Sequence, residues 1–280
     1  MLAACTTEAA QGPRDDRSPA ASVPATTPAA ASPGRAPARD FAVQVRKLTL
    51  SRGADRPLPT TLWVPRGDGP FPLIVFSHGL GGTPADYAEL LSAWAKAGFV
   101  VAAPAFPHTS AGVAEFNVLD LINQPADASY VITRVLAALR GRVDPARVAA
   151  AGHSGGGVTT LGMFSGGRDK RLDAGVVLAG RQIFTSPFTG AAVPLLFVHG
   201  KRDATVAYAD GRAAYDASPW PKAFLTVSAG GHVTTGRELD VVTATTTDFW
   251  RWSLYGDRAA KGRLGGDAKR GGVATLTDKL

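Results

Sequence analysis

The pentapeptide Gly152-His-Ser-Gly-Gly156 constrains this chain more than any other segment. It follows the apolar run Arg147-Val-Ala-Ala-Ala151 and precedes a helix-compatible stretch. Strand, tight turn and helix, in that order, are the setting that a G-x-S-x-G turn needs. Such a turn forces Ser154 into a strained backbone conformation. Gly152 and Gly156 lack Cβ atoms, so the strand and the helix can approach closely. The product is an exposed hydroxyl at a helix N-terminus, with the Gly155 N–H free to hold an oxyanion. A lone G-x-S-x-G also occurs in ordinary Gly-rich loops, so the rest of the chain has to decide.

Two partners follow in the required order. Asp203 ends Leu195-Leu-Phe-Val-His-Gly-Lys-Arg-Asp203, just past the short β-rich run 194–199. His232 ends Ser228-Ala-Gly-Gly-His232, in a Gly-rich loop after a second β-rich run, 222–228. Both therefore belong to loops at the C-terminal edge of a parallel sheet, where Ser154 also sits and where such sheets bind ligands. A serine hydroxyl is a weak nucleophile without a base in hydrogen-bond reach. Histidine titrates near neutrality, so His232 can take the seryl proton and return it to a leaving alcohol. Asp203 would accept the other imidazole N–H, fixing the tautomer and stabilising the imidazolium. His153 should point away from the hydroxyl and pack, His199 ends a buried strand, and His78 shapes its own loop. His108, in Phe106-Pro-His108, reads either as a wall of the cleft or as a solvated side chain. Asp173 lies at the wrong sheet edge and Asp210 on a solvated helix face.

A second oxyanion donor is expected after the continuous apolar strand Leu73-Ile-Val-Phe-Ser77, which reads as buried on both faces. The turn His78-Gly-Leu-Gly-Gly82 follows, and its glycines let the Leu80 N–H turn inward beside that of Gly155.

Phe76-Ser-His-Gly-Leu-Gly-Gly82, the elbow at 152–156, Val198-His-Gly-Lys-Arg-Asp203 and Gly231-His232 together resemble the α/β-hydrolase superfamily over residues 41–256. Within it the chain looks like the dienelactone hydrolase, chlorophyllase and platelet-activating-factor acetylhydrolase branch, near the bacterial cutinase-type polyester hydrolases. Ser154 stands where true dienelactone hydrolases carry a cysteine. The resemblance implies an α/β-hydrolase fold: a mostly parallel twisted sheet with helices on both faces. It also implies a serine carboxylic-ester hydrolase that needs no metal or cofactor.

The coarse pattern agrees. Val43–Leu50 and Thr60–Pro65 predict an opening antiparallel hairpin. Thr83-Pro-Ala-Asp-Tyr87 starts a helix that runs to Ala97 and stops at Gly98, before a strand at 99–103. Helices at 126–139, 207–217 and 240–255 alternate with strands, giving a doubly wound sheet. The connection Gly180–Val193 is too short for a lid domain. The site should therefore be open, with walls from Phe106, His108, Ile183 and Phe184, and with Trp220 either beside them or packed under a loop. An open site suits a small-molecule, lipid or polymer ester. Alternatives are a polyester or lipase-type hydrolase, a serine peptidase, and a non-catalytic binding protein on the same scaffold.

With 45% apolar residues in 280, the chain can build one large catalytic core. The net charge of +7 is scattered, without basic-aromatic interleaving, which excludes nucleic acid as an expected partner and leaves a monomer as the simplest state. The single cysteine, in Leu2-Ala-Ala-Cys5, matches a bacterial lipobox, where the cysteine is lipidated. A full signal needs basic and apolar regions before it. Either translation starts further upstream or the match is accidental. Residues 6–40 are rich in Ala, Pro, Thr and Ser and read as a disordered tether. The expected layout is thus a lipobox and tether over 1–40, a catalytic domain over 41–256, and a tail over 257–280 that is disordered or a short helix. It implies an extracytoplasmic enzyme held to the membrane only by its lipid, or else a secreted one.

Overall fold

A computed structural model describes Met1, residues 35–184 and residues 186–280. By internal contacts the chain divides at Ser32/Pro33, and every element described below belongs to Pro33–Leu280. Cys5 and the tether up to residue 34 lie outside the described residues. The expected boundary at 40 falls inside packed structure: Ala36 is buried, and its N–H donates to Asp257 Oδ2 at 3.3 Å.

Nine strands form one sheet: β1 (Val43–Leu48), β2 (Thr60–Pro65), β3 (Phe71–Ser77), β4 (Val100–Pro104), β5 (Val143–His153), β6 (Leu172–Leu178), β7 (Leu195–Gly200), β8 (Lys222–Val227) and β9 (Ala274–Lys279). Their spatial order is β1-β2-β4-β3-β5-β6-β7-β8-β9. The six strands from β4 to β8 pair in parallel, while β1, β2 and β9 add antiparallel edges. Parallel strands require crossovers, and four of these carry the helices α1 (Ala88–Lys96), α2 (Gln124–Ala138), α3 (Gly155–Gly162) and α4 (Tyr208–Ala217), while α5 (Gly236–Tyr255) follows β8.

The central strands are apolar throughout because each face is covered. Leu73 and Val75 of β3 face a core with Val131, Ile132 and Val135 of α2 and Tyr215 of α4. Ile74 and Phe76 point the other way, toward Leu91 and Trp94 of α1 and Phe249 and Trp250 of α5. Alternation along β3 thus feeds two cores, one on each side of the sheet. No described helix is long and apolar enough to cross a membrane.

Two differences from the sequence pattern matter. The helix expected from Thr83 opens as a 3-10 turn, Pro84–Tyr87, before α1 begins, and Asp86 Oδ2 accepts from the Thr83 N–H at 2.7 Å. Of the two readings of the tail, the helix is the one observed, as α6 (Arg258–Lys269), and β9 follows it unforeseen. Asp257 caps α6 by accepting from the N–H groups of Ala259 and Ala260. Ala260, Leu264 and Ala268 are buried, with Leu264 and Ala268 in the α1/α5 core. β9 pairs with all six residues of β8, so backbone hydrogen bonds anchor a segment whose side chains predicted nothing.

A buried ion cluster fixes the loops on the α2 side. The Arg56 guanidinium donates to Asp120 at 2.8 Å through each of two nitrogens and to Asp127 Oδ1 at 3.0 Å, and Arg52 joins Asp127 at 2.7 Å. Arg56 thereby holds the 3-10 segment Val118–Ile122 against the opening hairpin loop and α2. Burial would raise the Asp120 carboxyl, but hydrogen bonds from Arg56 and Asn123 outweigh it and hold it below the usual range.

Candidate active site

Ser154 sits between β5 and α3 with φ 55° and ψ −117°, a backbone state that ordinary L-residues avoid. Its N–H donates to Leu178 O on β6 at 2.9 Å. The flanking glycines are steric requirements. A Cβ on Gly152 would collide with the Gly156 carbonyl, and one on Gly156 with the Ser77 carbonyl at the end of β3.

The loop after β7 delivers Asp203 and the loop after β8 delivers His232. Asp203 Oδ1 accepts from the N–H groups of Thr205 and Val206, each at 2.8 Å. Its Oδ2 accepts from His232 Nδ1 at 2.8 Å. Burial would raise this carboxyl, but the bonds from His232, Val206 and Thr205 prevail and hold it below the ordinary carboxylate range. An ionised Asp203 places the His232 proton on Nδ1 and leaves Nε2 as a free acceptor. Among the described residues, no hydrogen bond joins Ser154 Oγ to His232, and catalytic contacts of this kind often tighten only with substrate bound.

The turn after β3 lies directly against the elbow. A Cβ on Gly79 would be 3.2 Å from Ser154 Cβ, and one on Gly155 would be 2.9 Å from Leu80 Cγ. The Leu80 N–H makes no hydrogen bond among the described residues, and Gly155, first in α3, has no intrahelical partner for its own. Two unengaged N–H groups thus flank Ser154. His78 supports this turn from below: buried, it bonds Gly79 O through Nδ1 at 2.8 Å and accepts from Phe106 N–H through Nε2 at 3.2 Å.

The expected walls are only partly where they were placed. Phe106 is fully buried, packed beneath the His78 ring, and does not line the opening. The phenyl ring at that position has a core to enter, and burial stabilises it by about 1.5–3 kcal/mol. His108 is half-buried, with Nδ1 3.3 Å from Glu115 O. Ile183 is exposed, and Phe184 lies against Gly162 of α3 beside a groove toward α4. Trp220 packs on Phe164 and Phe188, away from solvent. His199 bonds Val206 O through Nε2, and Asp210 pairs with Arg181 at 3.6 Å.

Two features escaped the sequence reading. Leu121 lies against Gly155, and its neighbours Phe116, Val118, Leu119 and Ile122 are exposed, as is Leu80. Their apolar run carried a signal, since it has neither helical nor strand period. The second is His153, read as packing: its Nε2 lies 2.7 Å from the His232 carbonyl and its Nδ1 2.9 Å from the Tyr87 hydroxyl. Among the described residues no cluster of His, Cys, Asp and Glu could hold a metal ion.

A strained serine, a histidine paired with a buried carboxylate and two unengaged N–H groups meet at the C-terminal edge of this α/β-hydrolase sheet. The cutinase est2 of Thermobifida alba is 28% identical to the chain over 207 residues, covering 70% of the chain and 64% of that relative's length. A family model described as chlorophyllase matches residues 27–179, more than half of the 280 residues, and the chain belongs to the chlorophyllase family.

Proposed function

We propose that the protein is a serine carboxylic-ester hydrolase. The observation that carries this reading is the His232–Asp203 pair at 2.8 Å, on loops beside the strained Ser154. Ser154 Oγ attacks the ester carbonyl carbon while His232 Nε2 takes its proton. The carbonyl oxygen becomes an oxyanion held by the N–H groups of Leu80 and Gly155. As the tetrahedral intermediate collapses, the C–O bond to the alcohol breaks and His232 returns the proton to that alcohol. Water then attacks the acyl-enzyme, losing a proton to His232. Collapse releases the acid and restores the Ser154 hydroxyl.

The exposed apolar side chains of Leu80, Phe116, Leu119 and Ile122 beside the elbow favour esters with a large apolar part. The relative's name, cutinase, agrees with that class. A panel of p-nitrophenyl esters and matched p-nitroanilides of increasing acyl length tests the proposal, with a polyester film as a further substrate. Turnover of esters and not of anilides is expected. Faster cleavage of anilides would point instead to a peptidase, and turnover of neither to a binding protein.

A further inference from the structure

Behind His232 the fold leaves space instead of packing. A cavity of about 250 Å3 is bounded by Gly231, His232 and Val233 on the loop and by Tyr87, Leu90 and Leu239 on the facing elements. Glycines at 230 and 231 precede the loop, and Gly236, at φ 53°, follows it. Val233 is 66% exposed. Among the described residues, the backbone of 231–234 makes one hydrogen bond, between the His232 carbonyl and His153 Nε2 at 2.7 Å.

The chemistry of that bond sets the state of His153. Its ring is buried, and burial pushes its pKa down to about 4, so it is neutral at neutral pH. A neutral imidazole has one N–H and one lone pair. The His232 carbonyl can only accept, so the proton belongs on Nε2. Nδ1 then accepts from the Tyr87 hydroxyl at 2.9 Å, and the Tyr87 oxygen accepts from the Gly79 N–H at 3.0 Å. Gly79 adjoins Leu80. One chain of hydrogen bonds therefore runs from the oxyanion turn through the 3-10 turn before α1 and the end of β5 to the histidine loop.

We propose that His153 and Tyr87 are positioning residues for the reaction, holding the His232 backbone and the Gly79–Leu80 turn in one frame around Ser154. The inference rests on the serine-hydrolase reading given above. Asp203 orients the His232 ring, whereas His153 sets where the loop carries that ring. Without His153 the loop can sink into the cavity behind it. The two rings also lie 4.7 Å apart between centroids, so a neutral His153 faces the imidazolium that forms during turnover.

The test compares His153→Leu, His153→Gln and Tyr87→Phe with the parent, in the full chain, on one p-nitrophenyl ester, with Tm recorded for each. Misplacing a reacting group by about 1 Å costs on the order of 100-fold. His153→Leu is expected to lower kcat by about 10- to 100-fold with KM within about twofold of the parent. His153→Gln keeps a side-chain N–H for the carbonyl and is expected to recover most of that loss. Tyr87→Phe should fall between them. Parental kcat in His153→Leu, or equal losses in the Leu and Gln variants, would overturn the proposal. Should His153→Leu fail to fold, the other two decide: a near-parental Gln variant beside an impaired Phe variant supports the proposal, and parental values for both overturn it. Ser154→Ala runs alongside. If it retains parental turnover, the functional reading itself fails, whatever the His153 variants do.

Discussion

Ser154 keeps a backbone conformation that costs on the order of 1–3 kcal/mol, because the surrounding contacts leave it no alternative. Gly152 and Gly156 seat it between β5 and α3, and its N–H is tied to Leu178. Asp203 spends both oxygens on fixed donors, two backbone N–H groups and the His232 ring. Asp203→Asn keeps the shape of that loop, since an amide oxygen still accepts from Thr205 and Val206. It presents an NH2 group to His232, however, and so favours the wrong tautomer. We expect kcat to fall by about 10^3- to 10^4-fold with little change in Tm, measured by steady-state kinetics and thermal melts. A loss under about tenfold would show that the pair does not orient the base. The placement of Ser154, Asp203 and His232 at one sheet edge was legible in the sequence because turn glycines and strand ends mark where each side chain emerges. The bond between Tyr87 and His153 was not, because it joins residues 66 apart and leaves no local pattern. Phe106 misled for a related reason: an aromatic beside a site motif reads equally as wall or as core.

Among the elements, the parallel strands and their helices were readable from apolar runs bounded by glycine and proline. α6 was readable only as the alternative to a disordered tail, because Leu264 is its only large apolar residue, and β9 was not readable, because it is held by its pairing with β8. α6 also carries a strained acid. Asp267 is pushed up to about 6 by burial and by the neighbouring Asp248 carboxylate, and its Oδ2 is buried without a partner. Asp248 itself stays below the usual carboxylate range: burial opposes this, and Arg263 and Arg251 outweigh it. An acid with a raised folded pKa binds its proton more tightly in the folded chain. Its contribution to stability is therefore present at low pH and is lost as pH rises from about 4, the unfolded value, through about 6. Asp267→Asn removes the charge that must be buried. Melts at pH 8 should show a gain on the order of 1 kcal/mol, or about 2–4 °C, that shrinks toward pH 4. A pH-independent difference, or a loss at pH 8, would contradict this account of α6.

At the scale of the whole molecule, sheet order and site are one fact. The parallel run β4-β3-β5-β6-β7-β8 points every strand end the same way, so the turn after β3, the elbow after β5 and the loops after β7 and β8 meet at one edge. Residues as distant in sequence as Leu80 and His232 come to lie against the Gly152–Gly156 turn, beside Gly155 and His153, without any insertion to bring them there. The connection between β6 and β7 holds neither helix nor strand among its described residues, so no helix from it covers that edge. The account stands on Ser154 as the nucleophile of this edge. The direct measurement is intact-protein mass spectrometry after reaction with a fluorophosphonate, followed by peptide mapping, on the parent and on Ser154→Ala. The account predicts one adduct per parent chain, located on the peptide holding Gly152–Gly156, and none on the variant. An adduct on Ser154→Ala at the parental rate, or a folded parent that takes no adduct, would contradict it.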